Sequence, residues 1–121
     1  MDYVLLIEKK GELAENLIEL LEMAGIRAEC VRSIKDVGPH LKNEGLFAVA
    51  ANSLSLDGHI RTFARTLHAS KKRKVALIVF GEEDHSGNED VVDYYLQMPF
   101  DDDALLNLIL NMRNARRSNV A

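Results

Sequence analysis

The chain has 121 residues, 47% of them hydrophobic, and its 15 Lys and Arg against 19 Asp and Glu give a formal net charge of -4. That length suits one globular domain with a single core, and the acidic balance argues against nucleic-acid binding by bulk electrostatics. A lone cysteine, Cys30, excludes an intramolecular disulfide and any paired-cysteine redox or zinc motif, and with no long apolar stretch or leader-like N-terminus a cytoplasmic protein is expected.

Apolar runs alternate with helical patterns along the chain, the signature of a parallel sheet covered on both faces. Residues 3–7 read as the first strand. Leu13, Leu17, Leu20, Leu21 and Ala24 then recur at helical spacing, and Gly25 stands where a left-handed C-terminal cap is favoured. Residues 27–31 form a shorter, less apolar strand nearer an edge, in which Cys30 reads as a small hydrophobe. Ser33 and Asp36 suit a capping box for a second helix, and a start at Gly38-Pro39 fits equally. Residues 46–51 are a third strand ending at Asn52. Asp57 suits the cap of a helix with Ile60, Phe63, Ala64 and Leu67 on its apolar face.

The run Lys71-Lys72-Arg73-Lys74 reads as a solvated loop, because neither an aromatic residue nor a second basic cluster accompanies it. Residues 75–80 are a fourth strand. The acidic stretch 81–90, with two glycines, leaves little room for a full helix. Residues 94–96 form a fifth strand, and the last helix follows Pro99-Phe100, capped by Asp101 with Asp102 and Asp103 in its first turn, where negative charge suits the helix dipole. Its buried stripe is predicted as Leu105, Leu108, Ile109 and Met112, and residues 116–121 are expected to fray.

In this order the pieces resemble the receiver domains of response regulators, over nearly the whole chain. Val4 to Glu8 is similar to their first strand, Phe47 to Asn52 to the strand carrying their phosphoacceptor, Asp57-Gly58 to the start of their third helix, and Tyr95 to Phe100 to their fifth strand and its Lys-Pro-Phe terminus. The resemblance implies a CheY-like, flavodoxin-like (βα)5 fold: a doubly wound parallel sheet of five strands in the order 2-1-3-4-5. The fourth helix is expected to be shortened, since the segment between Gly81 and Met98 is about five residues shorter than in typical receivers, more than one turn. The resemblance also implies a cis peptide bond at Met98-Pro99.

The family's chemistry does not carry over with its fold. The resemblance places Asn52 where the family has the phosphorylated Asp, and a carboxamide is too weak a nucleophile to accept a phosphoryl group. Glu8 and Lys9 stand at the family's acidic Mg²⁺ positions, Gly81 at its Thr or Ser, and Met98 at its Lys. A hard dication wants several oxygen ligands and excess negative charge, whereas Glu8, Lys9 and Asn52 sum to about zero. Lys9 is expected to fill the emptied pocket, paired with Glu8 and bonded to the Asn52 carbonyl oxygen. Ser53 and Ser55 read as ordinary loop hydroxyls without an activating base, and His40, His59, His68 and His85 as surface histidines without metal-ligand spacing. No cofactor, no metal and no enzymatic activity are expected.

These features describe a degenerate receiver, or pseudo-receiver: a protein-binding module of bacterial two-component or phosphorelay signalling that works without phosphorylation at the usual position. A receiver phosphorylated at an unusual acceptor by a histidine kinase, and a small-ligand sensor using the vacated pocket, are the alternatives. The partner, a signalling protein or a second copy of the chain, is expected on the family's face of fourth helix, fifth strand and fifth helix. Tyr95, at the family's switch-aromatic position, is expected to join Leu106 and Leu110 in an apolar patch rimmed by Arg113 and the acidic Glu82, Glu83 and Asp84. Neither nucleic acid nor membrane is an expected partner.

Overall fold

A computed structural model describes residues 2–56, 58–70, 75–82 and 90–118. Five parallel strands, β1 (Tyr3–Ile7), β2 (Arg27–Val31), β3 (Leu46–Asn52), β4 (Ala76–Gly81) and β5 (Tyr94–Gln97), form one sheet in the order β2-β1-β3-β4-β5. The helices are α1 (Gly11–Met23), the single turn α2 (Gly38–Leu41), α3 (Ile60–Ser70) and α4 (Asp102–Ser118).

The continuous apolar runs are explained by two cores. Side chains of a strand alternate between faces, so a strand buried on both sides needs an apolar residue at every position. In β1, Tyr3, Leu5 and Ile7 enter one cluster with Val49, Leu77, Val79 and the α3 residues Ile60, Phe63, Ala64 and Leu67. Val4 and Leu6 enter the other with Ala48, Ala50, Ile78, Phe80, the α1 residues Leu17 and Leu21, and Leu105 and Ile109 of α4. Each fully buried Leu, Ile or Phe contributes about 1.5–3 kcal/mol relative to an exposed one. The half-buried Cys30 belongs to edge strand β2, where burial pushes its thiol pKa up and keeps it protonated.

Several boundaries differ from the sequence-based expectation. Both proposed starts of the second helix are used. Ser33 caps a 3₁₀ turn over Ile34–Asp36, its Oγ accepting from the Lys35 N–H at 3.2 Å, and Pro39 stands in the first turn of the separate α2. The predicted cap Asp57, the basic run 71–74 and residues 83–89, which hold Glu83, Asp84, His85 and most of the shortened fourth-helix segment, lie outside the described residues. Residues 90–93 are turn and bend, and no helix separates β4 from β5 among the described residues. Helix α4 runs to Ser118, and residues 119–121 of the tail expected to fray lie outside the described residues.

Two contacts tie residues 90–93 down. Asp93 donates its N–H to the Leu77 carbonyl at 3.0 Å and accepts the Leu77 N–H on Oδ2 at 2.7 Å, so it extends the β4–β5 pairing with its side chain. Arg61 and Asp90 form a two-pronged ion pair at 2.9 and 2.7 Å, and the guanidinium holds the Asp90 carboxyl below the usual carboxylate range. A carboxyl with a lowered folded-state pKa favours folding above its unfolded value and loses that contribution as the pH falls. Exposure keeps the contribution small.

Candidate functional site

Parallel sheets gather ligand sites at the carboxyl ends of their strands, where strand order reverses; here that point lies between β1 and β3. Glu8 follows β1 and is only 2% exposed, and Asn52 closes β3 at 6%. A buried carboxylate is costly unless its oxygens find donors. Glu8 finds two: the Asn52 Nδ2 amide donates to Oε2 at 2.8 Å, and the Lys10 N–H donates to Oε1 at 3.0 Å. The Asn52 Oδ1 accepts the Leu54 N–H at 3.0 Å, which sets the 3₁₀ turn over Ser53–Leu56. Ser55, 1% exposed, accepts the Lys9 N–H on its Oγ at 3.2 Å and so ties the β1–α1 loop to the β3–α3 loop.

The Asn52 side chain therefore donates to the acid and accepts from the loop. A carboxamide can do both at once, whereas an ionised carboxylate at position 52 would face Glu8 with no proton to donate. Lys9 is an exposed residue, and the amide of Asn52 contacts Glu8 directly.

At the ends of β4 and β5, the Gly81 carbonyl accepts the Met98 N–H at 2.7 Å and the Tyr95 hydroxyl at 3.1 Å. The Met98–Pro99 bond is cis, as expected. Met98 is half-buried against the cluster beneath α1 and α4. Glu8, Asn52, Gly81 and Met98 thus converge on the carboxyl ends of β1, β3, β4 and β5, with Lys9 on the rim. Among the described residues no group of three or more His, Cys, Asp or Glu is arranged to hold a metal ion. His59 and His68 are exposed, whereas His40 is half-buried and hydrogen-bonded through Nδ1 to the Tyr3 hydroxyl at 2.8 Å, a structural role its sequence context did not suggest.

The expected apolar patch is divided by the sheet. Tyr95 packs against the α3-side cluster, whereas Leu106 and Leu110 pack, half-buried, against the α1–α4 cluster. Leu108 and Met112 are half-buried too, so among the described residues of α4 only Leu105 and Ile109 are fully buried. Arg113 turns toward the end of α1 and donates to the Gly25 carbonyl at 3.1 Å. On the β5 edge the exposed ring is Tyr94, at 49%.

No known protein-family model and no curated protein sequence matches this chain. Its fold has solved counterparts. A CheY-like response regulator receiver domain from Methylobacillus flagellatus is 23% identical, with 93% of this chain and 98% of that one covered and a TM-score of 0.78. A CheY-like receiver domain protein from Methanospirillum hungatei JF-1 is 14% identical over 98% of each chain, with a TM-score of 0.82. A streptococcal protein, described as one of a family of redox sensors evolved from two-component response regulators, is 19% identical with a TM-score of 0.80; the match covers 97% of this chain and 53% of that one. The fold is that of the receiver domains.

Proposed function

We propose that this protein is a pseudo-receiver, a protein-interaction module of two-component or phosphorelay signalling that acts without phosphorylation at the usual position and is not an enzyme. The observation that carries the reading is the buried hydrogen bond from Asn52 to Glu8. It gives the acid a neutral, fixed donor in place of the cation that a pair of carboxylates would need. The streptococcal redox sensor shows that a protein evolved from response regulators serves a sensing role, which makes an alternative input reasonable for this fold.

Output by this reading is a protein contact on the β5 and α4 side, with a signalling protein or a second copy of the chain. Tyr94 offers exposed aromatic surface there, and Leu106 and Leu110 keep part of theirs. The absence of nucleophile chemistry is tested by intact-mass measurement after incubation with acetyl phosphate, with and without Mg²⁺. The unmodified mass is expected under both conditions. A stable phosphoryl adduct on any residue around the end of β3 would refute the proposal.

A further inference from the structure

We infer that Ser53, Gly81 and Tyr95 form an interlock that holds the ends of β3, β4 and β5 in one arrangement with no phosphoryl group or ligand. The inference deepens the pseudo-receiver reading and rests on it, since it supplies the fixed arrangement such a module would present. It starts from the space above Gly81. A Cβ on this residue would overlap the Ser53 Oγ and lie 3.2 Å from the Ser53 Cβ, closer than the ordinary carbon–carbon contact of about 3.5–4.0 Å. The Tyr95 hydroxyl lies 3.5 Å from the same point, an ordinary contact, so Ser53 alone decides whether a side chain fits.

The hydroxymethyl group of Ser53 therefore occupies the place of a side chain at 81, and each residue dictates the other. Rotating Ser53 Oγ away would leave the 3.2 Å approach between the two β-carbons. The Tyr95 hydroxyl closes on the Gly81 carbonyl, which Met98 N–H also engages. Ser53 is 9% exposed and Tyr95 half-buried, so neither moves without repacking its surroundings. Three adjacent strand ends are thus fastened through one backbone unit.

The test is a mutant cycle on the full chain, with no phosphodonor and no partner present, so that the interlock and the pseudo-receiver reading fail separately. Gly81→Ala is made in the parent and in a Ser53→Gly background, and amide hydrogen exchange is read across residues 94–98. In the parent background, Gly81→Ala is expected to speed exchange about tenfold or more; with glycine at 53, the same substitution should change it less than about twofold. Tyr95→Phe should give a smaller acceleration, about threefold, through loss of one hydrogen bond. Should Gly81→Ala fail to fold, folding of the Ser53→Gly/Gly81→Ala chain supports the interlock, and failure of both overturns it. Equal acceleration in the two backgrounds, or none in the parent, also overturns it.

Discussion

Replacement of Asn52 by Asp is expected to destabilise the fold by about 3 kcal/mol at neutral pH, because it exchanges a hydrogen bond for an unpaired charge in a buried place. The Asn52 Nδ2 lies 2.8 Å from the Glu8 Oε2, and both residues are nearly inaccessible to water. With Asp there, two carboxylates meet and one must hold a proton, so its folded-state pKa rises above the ordinary value of about 4. The folded variant then binds more protons than the unfolded one. Its stability falls as the pH rises from the ordinary carboxylate value to the raised one, and the deficit against the parent is smallest near pH 4 and full once both groups are ionised. Urea denaturation of parent and variant at several pH values gives the check. A variant as stable as the parent at all of them would show that Asn52 is not chosen for Glu8. The substitution is also expected to leave the chain unphosphorylated, since Gly81 and Met98 supply neither hydroxyl nor ammonium for a phosphoryl group.

Leu105→Ala is expected to cost about 2–5 kcal/mol, whereas the pair Leu106→Ser with Leu110→Lys should cost only about 2 kcal/mol and leave a cooperative transition. The contrast follows from position on α4. Leu105 has no exposed surface and sits among Phe80, Ile109 and the α1 leucines, so truncation leaves a cavity. Leu106 and Leu110 pack against the edge of the same cluster and retain accessible surface. If that surface serves a second copy or a signalling protein, the double variant should lose association, read by sedimentation equilibrium for the homodimer, while Leu105→Ala retains it in the fraction that folds. Unfolding of the double variant would assign both leucines to the core and remove them from the proposed contact.

The sheet was legible because its strands are buried on both faces: residues 3–7 and 46–51 are short runs apolar without interruption, a pattern amphipathic helices and half-exposed strands do not show. Gly25 was legible for a different reason. Its φ of +80° is the left-handed conformation a helix terminus needs, and the Ile26 N–H to Leu21 carbonyl bond at 2.9 Å completes the cap. The division of Tyr95 from Leu106 and Leu110 was not legible, because alternation along β5 assigns opposite faces only once it is known which helix covers which face. Nor was the interlock. Gly81 and Ser53 are far apart in the chain, and a missing side chain gives no sign of the neighbour that fills its space.

At the site, the sequence showed which residues gather and not how they bond. Asn52 was visible as a missing nucleophile, but its role as donor to Glu8 depends on the distance between two strand ends. The charge of Lys9 suggested a pocket filling, but neither its exposure nor the bond from its backbone amide to the buried Ser55 hydroxyl was visible in the sequence.

The most direct test of phosphorylation-independent action is the backbone amide spectrum of the chain titrated with Mg²⁺ and then with beryllofluoride, a mimic of the phosphoryl group. The amides of Glu8, Asn52, Ser53, Gly81 and Met98 are expected to keep their positions throughout. Saturable shifts confined to these residues, requiring both reagents together, would contradict phosphorylation-independent action.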